Sequence, residues 1–369
     1  MLFRSERGRV CFYMVNITML NPTCRMLSAG YKFIANQSSL SVQPCCAFGD
    51  QQRINNKHDL ANWRTAINSI DSQQDPRCAE CNYIDRAEVR KSRREIGFQF
   101  VSNDASVGDP SWLEIQTDLT CNGGCVMCGP WFSSYWANEL GVQVPASKQD
   151  HLAKISTLID FQKARNILIL GGEPMLSDID ERLPDFIDNP SQVSLQLTTN
   201  GSIYPSDKKI ASWSKFQQVL LNFSIDGVGD RFEYLRYPLK WDRVEKNMLR
   251  LQQELPPNVK CKINHVVTSL NLFYYDEFVS WFNKTLMPDD YNRGWMFTVT
   301  PAAGVFSPQS VTSELKQLVI DKYTQSGIPT RLIESNSANN KELQQTLAEI
   351  DRRRNLNWRT IFPEIAHAL

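Results

Sequence analysis

From Trp112 onward, short apolar runs alternate with amphipathic stretches. The β-rich runs are Trp112–Thr117, Ile167–Leu170, Val193–Thr199, Val219–Ile225, Ile263–Thr268 and Trp295–Thr300. Between them three groups recur at helical spacing: Leu152, Ile155 and Ile159; Trp241, Val244, Met248 and Leu251; Tyr275, Phe278, Trp281 and Phe282. Strand and helix signals in alternation predict an α/β fold of parallel βαβ units with right-handed crossovers. Six units are too few for a closed eight-stranded barrel and suit an open, partial one. From Pro301 the signals are helical. Ser313–Ile320 opens on a candidate N-cap, and Asn339–Arg354 has charged helical spacing over an apolar seam of Leu343, Leu347 and Ile350. The closing Asn357–Glu364 is expected to pack against the core or the open side of the barrel.

Parallel α/β proteins place their chemistry at the C-terminal ends of strands, and there this chain turns polar or glycine-rich. The first run leads into Cys121-Asn122-Gly123-Gly124-Cys125-Val126-Met127-Cys128. Three thiolates so spaced can hold three irons of a four-iron cluster, and the fourth iron, without a protein ligand, is a reaction centre. A structural zinc site is the alternative on spacing alone. The second run ends in Gly171-Gly172-Glu173-Pro174, where paired glycines allow close backbone approach and the proline removes a donor. The third ends in Thr198-Thr199-Asn200-Gly201 and the fourth in Ser224-Ile225-Asp226-Gly227. Alternation puts Thr198 with Asn200, and Ser224 with Asp226, on one face. Such groups suit the ribose hydroxyls and carboxylate of a nucleoside-amino acid, or serve as ordinary strand-end caps. Glu114 and Gln116 share one side of the first strand, as lumen or structural residues, and no catalytic acid or base is identifiable.

These stretches, in this order, resemble the signature of the radical S-adenosylmethionine (radical SAM) enzymes. The resemblance implies a partial (β/α)6 barrel in which Cys121, Cys125 and Cys128 anchor a [4Fe-4S] cluster. SAM chelates the open iron, and an electron from the cluster splits it into methionine and a 5′-deoxyadenosyl radical that takes a substrate hydrogen atom. The resemblance assigns Gly171, Gly172, Glu173 and Pro174 to the SAM amino group, and Thr198, Asn200, Ser224 and Asp226 to SAM binding. Arg236 would form a bidentate pair with the SAM carboxylate, or else be a solvated loop arginine. The family usually has an aromatic residue before the third loop cysteine, packed on the adenine. Here it is Met127, a thioether that also contacts aromatic rings.

Upstream lie Cys24, the pair Cys45-Cys46, and Cys78-Ala79-Glu80-Cys81. The sequence shows neither a signal peptide nor a run of ~18 apolar residues, since Val10–Leu20 is broken by Asn16. A cytoplasmic setting without membrane association is expected, where a disulfide framework is not. Cys24, Cys45 or Cys46, Cys78 and Cys81 can complete a second cluster with no open position. The set resembles the twitch domain, the shortened relative of the SPASM domain, through a first cysteine, a Val42-Gln43-Pro44-Cys45-Cys46 strand end and a Cys-x2-Cys pair. Leu40 stands where that module usually has glycine, and the module precedes the core instead of following it. Such an order is acceptable because domain termini lie on the surface. Zinc remains the alternative for this site. Cys45 keeps the motif spacing better than Cys46, and Cys11 and Cys261 read as ordinary core residues.

The 369 residues divide as a twitch-like module at 15–100, a partial barrel at 105–300 and a helical extension at 301–369. A 42% hydrophobic content supports a sizeable core. Lys+Arg and Asp+Glu both total 40, so no global charge drives the chain toward nucleic acid. The run Arg86, Arg90, Lys91, Arg93 and Arg94 reads as a solvated helix face or a connection near an anionic cluster. The expected activity is reductive SAM cleavage followed by hydrogen abstraction. The auxiliary cluster would accept an electron in oxidation or cross-linking of a peptide or small molecule, and a flavodoxin or ferredoxin would supply electrons. The competing class is a non-enzymatic zinc or iron-sulfur scaffold that keeps the fold.

Overall fold

The computed structural model describes residues 24–36, 39–87, 91–101, 108–143, 150–287, 295–323, 330, 332–333 and 341–369. Residues 15–23 of the expected N-terminal module, Cys11, Arg90 and residues 339–340 lie outside them. All six expected barrel strands form. They are β4 (Trp112–Asp118), β5 (Asn166–Gly171), β6 (Ser194–Thr199), β7 (Gln218–Ser224), β8 (Val259–Val267) and β9 (Met296–Pro301). Upstream, β1 (Gly30–Asn36), β2 (Ser39–Gln43) and β3 (Gln52–Ile54) join the same sheet, in the order β3-β2-β1-β4-β5-β6-β7-β8-β9. β1 pairs parallel with β4, while β2 and β3 are antiparallel additions. The cysteine-rich segment therefore extends the barrel sheet. Among the described residues β3 and β9 each have one neighbour, so the sheet they form is open.

Register sorts the side chains onto two faces. One row runs Tyr31, Leu113, Ile167, Leu195, Val219 and Val259 across six neighbouring strands, and a second runs Phe33, Ile115, Ile169, Leu197, Leu221 and Cys261. These rows are apolar and mostly buried, and they form the core. The helix Trp241–Glu254 buries Trp241, Val244, Met248 and Leu251, the spacing its sequence predicts. The opposite face is polar: Lys32 and Glu114 stand side by side, as do Thr198, Asn222 and Lys262, and then Ser224, Asn264 and Thr298. That face forms the lumen wall of the open barrel.

The C-terminal segment is helical, with Ser313–Tyr323, Lys341–Arg354 and Trp358–Ile361. Thr312 rather than Ser313 caps the first of these, its Oγ1 accepting from the Leu315 N–H at 3.0 Å. Trp358 and Phe362 are fully buried, as expected of a closing segment packed on the core. Among the described residues, no helix is long and apolar enough to cross a membrane.

Candidate functional site

The loop Cys121–Cys128 leaves the C-terminal end of β4 and is held from several sides. Its backbone donates from Gly124 N to Tyr237 O at 2.6 Å and from Val126 N to Leu235 O at 2.9 Å. The Trp136 indole donates to Cys125 O at 2.8 Å, and the Ser133 hydroxyl to Gly123 O at 2.7 Å. The glycine pair after β5 is required by close approach. A Cβ on Gly171 would lie 2.2 Å from Asp118 O, and one on Gly172 2.0 Å from Thr120 O. Gly171 also has a φ of 126°, in the region that favours glycine. The first two strand ends are thus pressed together directly beside the cysteines.

Glu173 is buried and ties β5 to β6. Its carboxylate accepts from the Thr199 hydroxyl at 2.6 Å, the Asn200 N–H at 2.7 Å and the Met175 N–H at 3.1 Å. Burial pushes its pKa up, against the pull of those donors. The Asn200 amide donates to Asn122 Oδ1 at 2.9 Å, and Asn122 in turn donates to the Ser202 hydroxyl at 2.9 Å. Asn200 therefore links β6 to the cysteine loop. Asp226 has no exposed surface. Its Oδ1 accepts from Val266 N at 2.8 Å, and its Oδ2 lies 2.6 Å from Arg236 Nη2. Arg236 is buried, not solvated, and its Nη1 reaches Cys125 Sγ at 3.5 Å. Pro174 and Ser224 are buried nearby, and Thr198 and Met127 are half-buried.

The three loop thiols act on one another electrostatically, and burial raises the pKa of each, Cys128 to about 12. The Gly123 N–H donates to Cys121 Sγ at 3.4 Å. Three thiols on one loop, with an N–H donor and a guanidinium aimed at their sulfurs, suit a thiolate-bound cluster, whose binding would release the thiol protons. Among the described residues, no group of three His, Cys, Asp or Glu side chains is placed closely enough to hold a single metal ion. None of the described cysteines is in a disulfide.

The upstream cysteines gather at the other end of the sheet. Cys24 precedes the short helix Arg25–Ala29 that leads into β1, and Cys45 follows the end of β2, where Gln43 pairs with Lys32. Gly30 makes the junction tight, since a Cβ there would lie 2.4 Å from Pro44 O and 2.7 Å from Met26 O. The backbone amides of Met26 and Leu27 favour the thiolate of Cys24, and those of Arg93 and Arg94 the thiolate of Cys81. Cys24, Cys45, Cys78 and Cys81 are all buried, and burial raises each pKa, that of Cys78 to about 11. Cys45 feels the charges of Cys46 and Glu114 and, after them, Cys24 and Cys81, whereas Cys46 feels Glu114, Arg93 and Lys32. Arg93 Nε donates to Cys46 Sγ at 2.8 Å. The seven residues of β4 span about 20 Å, which sets the scale of separation between the two cysteine groups.

The basic run is a solvated face only in part: Arg86 and Lys91 are exposed, whereas Arg93 and Arg94 turn inward. Arg94 is buried against Asp85, Asn82 and Ser72 O, and Arg93 turns inward to Cys46 and Glu114. Arg93 lies on Cys46 and both arginines favour the thiolates beside them, so the alternative reading, a connection beside the upstream cysteines, fits their position. Glu114 and Gln116 are buried on the polar face, and Trp112 Nε1 donates to Glu114 Oε1 at 3.0 Å. Two participants escaped the sequence reading. Asn122 gave no signal beyond its place between cysteines. Arg354 did, because it takes the next inward position after Leu343, Leu347 and Ile350.

Residues 118–279 match the family model described as the Radical SAM superfamily. No curated protein matches the chain. Among solved structures, native anSMEcpe with bound AdoMet is similar at 16% identity and a TM-score of 0.41, over 57% of this chain and 58% of that one. Streptococcus suis SuiB bound to S-adenosylmethionine is similar at 15% identity and a TM-score of 0.38, over 91% of this chain and 75% of that one. SuiB bound to the precursor peptide SuiA has the same identity and score, over 85% of this chain and 57% of that one. The match to anSMEcpe thus spans less than two thirds of that protein's length.

Proposed function

We propose that this protein is a radical SAM enzyme with a catalytic cluster on Cys121, Cys125 and Cys128 and a second, auxiliary cluster on Cys24, Cys45, Cys78 and Cys81. One observation carries the reading. The three-cysteine loop lies at the C-terminal end of β4, pressed against Gly171 and Gly172, inside the stretch that matches the Radical SAM family model. When bound, the cluster supplies the electron that splits SAM into methionine and a 5′-deoxyadenosyl radical, which then takes a hydrogen atom from substrate.

The chain's own residues have separate tasks. Carbonyls around Gly171–Pro174 accept from the SAM amino group, and Thr198 and Ser224 face the SAM ribose from the lumen wall. Glu173, Asn200 and Asp226, with their bonds to Thr199, Asn122 and Arg236, keep the strand ends and the cysteine loop in register. Arg236 serves SAM through the loop that it steadies at Cys125. Met127 packs on the adenine. The polar lumen face receives a peptide side chain or a small molecule.

Residues 15–100 form the auxiliary module, 105–300 the catalytic barrel and 301–369 the helical extension. Four buried thiols, two of them beside backbone amides that favour the thiolate, suit a fully ligated cluster. Placed at the far end of the sheet, it acts as an electron acceptor and not as a second SAM site. Cys45 is the ligand, because it keeps the motif spacing and feels the charges of Cys24 and Cys81. This arrangement favours net oxidation or cross-linking, with a flavodoxin or ferredoxin as electron donor in the cytoplasm. The test is anaerobic reconstitution followed by incubation with SAM and candidate peptides, read by mass spectrometry. A product lighter by two hydrogens, with 5′-deoxyadenosine alongside, supports the reading. A colourless, zinc-loaded protein that does not bind SAM supports the scaffold alternative.

A further inference from the structure

The helix Lys341–Arg354 belongs to the C-terminal segment, far in sequence from both cysteine groups, yet its last residue reaches the catalytic loop. Its inward stripe is Leu343, Leu347, Ile350 and Arg354, so a guanidinium occupies a position whose periodicity calls for an apolar side chain. Burying such a charge is unfavourable unless it is paired and hydrogen-bonded. The Arg354 side chain is 1% exposed. Its guanidinium carbon lies 4.4 Å over the Trp136 ring and 4.9 Å over the Tyr237 ring. Nε donates to both oxygens of Glu139 at 3.2 Å. Nη1 is buried with no hydrogen-bond partner among the described residues.

The other arm meets the loop. A Cβ on Gly124 would lie 2.9 Å from Arg354 Nη2, so the guanidinium is packed against the backbone between Cys121 and Cys125. The helix is fixed to the same unit by Asp351, which accepts from the Tyr234 hydroxyl and the Trp358 N–H, both at 2.9 Å. Next to Tyr234, Leu235 O accepts from Val126 N. The loop, the Tyr234–Tyr237 stretch and the C-terminal helix are one bonded assembly.

We propose that Arg354 is a positioning residue for the catalytic cluster: a cation carried by the C-terminal helix that fixes the Gly124 backbone and adds positive potential behind Cys125. The inference rests on the function proposed above. A positive charge in a dry site stabilises the more negative, reduced state of a cluster and raises its midpoint potential. Both guanidiniums beside Cys125 carry a counter-charge, Asp226 at 2.6 Å from Arg236 and Glu139 at 3.2 Å from Arg354.

The test compares wild type with Arg354→Met, Arg354→Lys and Glu139→Gln, each reconstituted anaerobically. Iron per chain, thermal midpoint and the midpoint potential of the SAM-responsive EPR signal are measured. Arg354→Met completes the apolar stripe, so it should fold, and its potential should fall below that of wild type. Arg354→Lys keeps the charge and should recover part of the shift. Glu139→Gln removes the counter-charge and should move the potential upward, which also decides the matter if Arg354→Met does not fold. Wild-type potentials in both folded variants would show that Arg354 only packs the core, and would leave the proposed function standing. A wild-type chain that forms no SAM-responsive signal would overturn that function and this inference together.

Discussion

Asp226 and Arg236 form a buried ion pair 2.6 Å apart just past the C-terminal end of β7, and the second arm of the arginine reaches Cys125 Sγ at 3.5 Å. The pair is a brace between a strand end and the cysteine loop. Breaking a buried pair by removing one partner leaves the other charge uncompensated, at a cost of about 3–5 kcal/mol. Asp226→Ala should therefore lower the thermal midpoint and the iron retained on the cysteine loop together. If calorimetry shows an unchanged midpoint while SAM affinity drops, Asp226 contacts SAM and does not brace the loop.

Glu173 gives a second contrast. Its carboxylate accepts from Thr199, Asn200 and Met175, and an amide in its place cannot accept at both of its heavy atoms. Glu173→Gln should cost about 1–3 kcal/mol in urea unfolding, with SAM affinity falling through the loosened strand ends. Weaker SAM binding at full stability would place SAM directly on the Glu173 carboxylate.

Stability should also fall in acid through His265. The imidazole is buried, stacked 4.0 Å from Phe278, with Nδ1 bonded to Ile225 O at 2.8 Å. Burial lowers its pKa from 6.5 to about 4. The unfolded chain therefore binds a proton between those values that the folded chain refuses. Stability is full above about pH 6.5 and is lost as pH falls toward 4, by about 3 kcal/mol from this group. Thermal midpoints between pH 7 and 4 should fall less steeply in His265→Gln than in wild type. Equal slopes would remove His265 as the cause.

For the upstream cysteines, Cys78→Ala with Cys81→Ala should lower iron and sulfide by about one four-iron cluster. SAM cleavage uncoupled from substrate should survive, while substrate turnover fails. Cys45→Ala should lose the same iron, and Cys46→Ala should not. Zinc in the wild-type protein, or iron loss from Cys46→Ala alone, would reassign the ligands.

Much of this was legible in the sequence because parallel strands carry strong local signals. Each run from Trp112 to Thr300 is β-rich and bounded by turn residues, and all six form the expected strands. β1–β3 gave less. Tyr31 and Phe33 are buried while Lys32 turns to the lumen, but the edge strand β3 is three residues long and carries no period. That β1 joins β4 is a long-range pairing that no local pattern encodes. The cysteines could be found by spacing, whereas their partners could not. Arg93 and Arg94 read as surface charge, and only the fold shows them turned inward toward Cys46 and Asp85. Arg354 was visible as a charge on an apolar stripe, but its target Gly124 lies more than two hundred residues away.

The central claim is that Cys121, Cys125 and Cys128 hold a cluster that cleaves SAM. The most direct measurement is 5′-deoxyadenosine formed by anaerobically reconstituted, dithionite-reduced protein incubated with SAM, compared with a variant in which all three cysteines are alanine. The account predicts brown wild-type protein that releases 5′-deoxyadenosine, and a variant that releases none while keeping the iron of its auxiliary cluster. Undiminished 5′-deoxyadenosine from the triple variant, or none from iron-replete wild type, would contradict it.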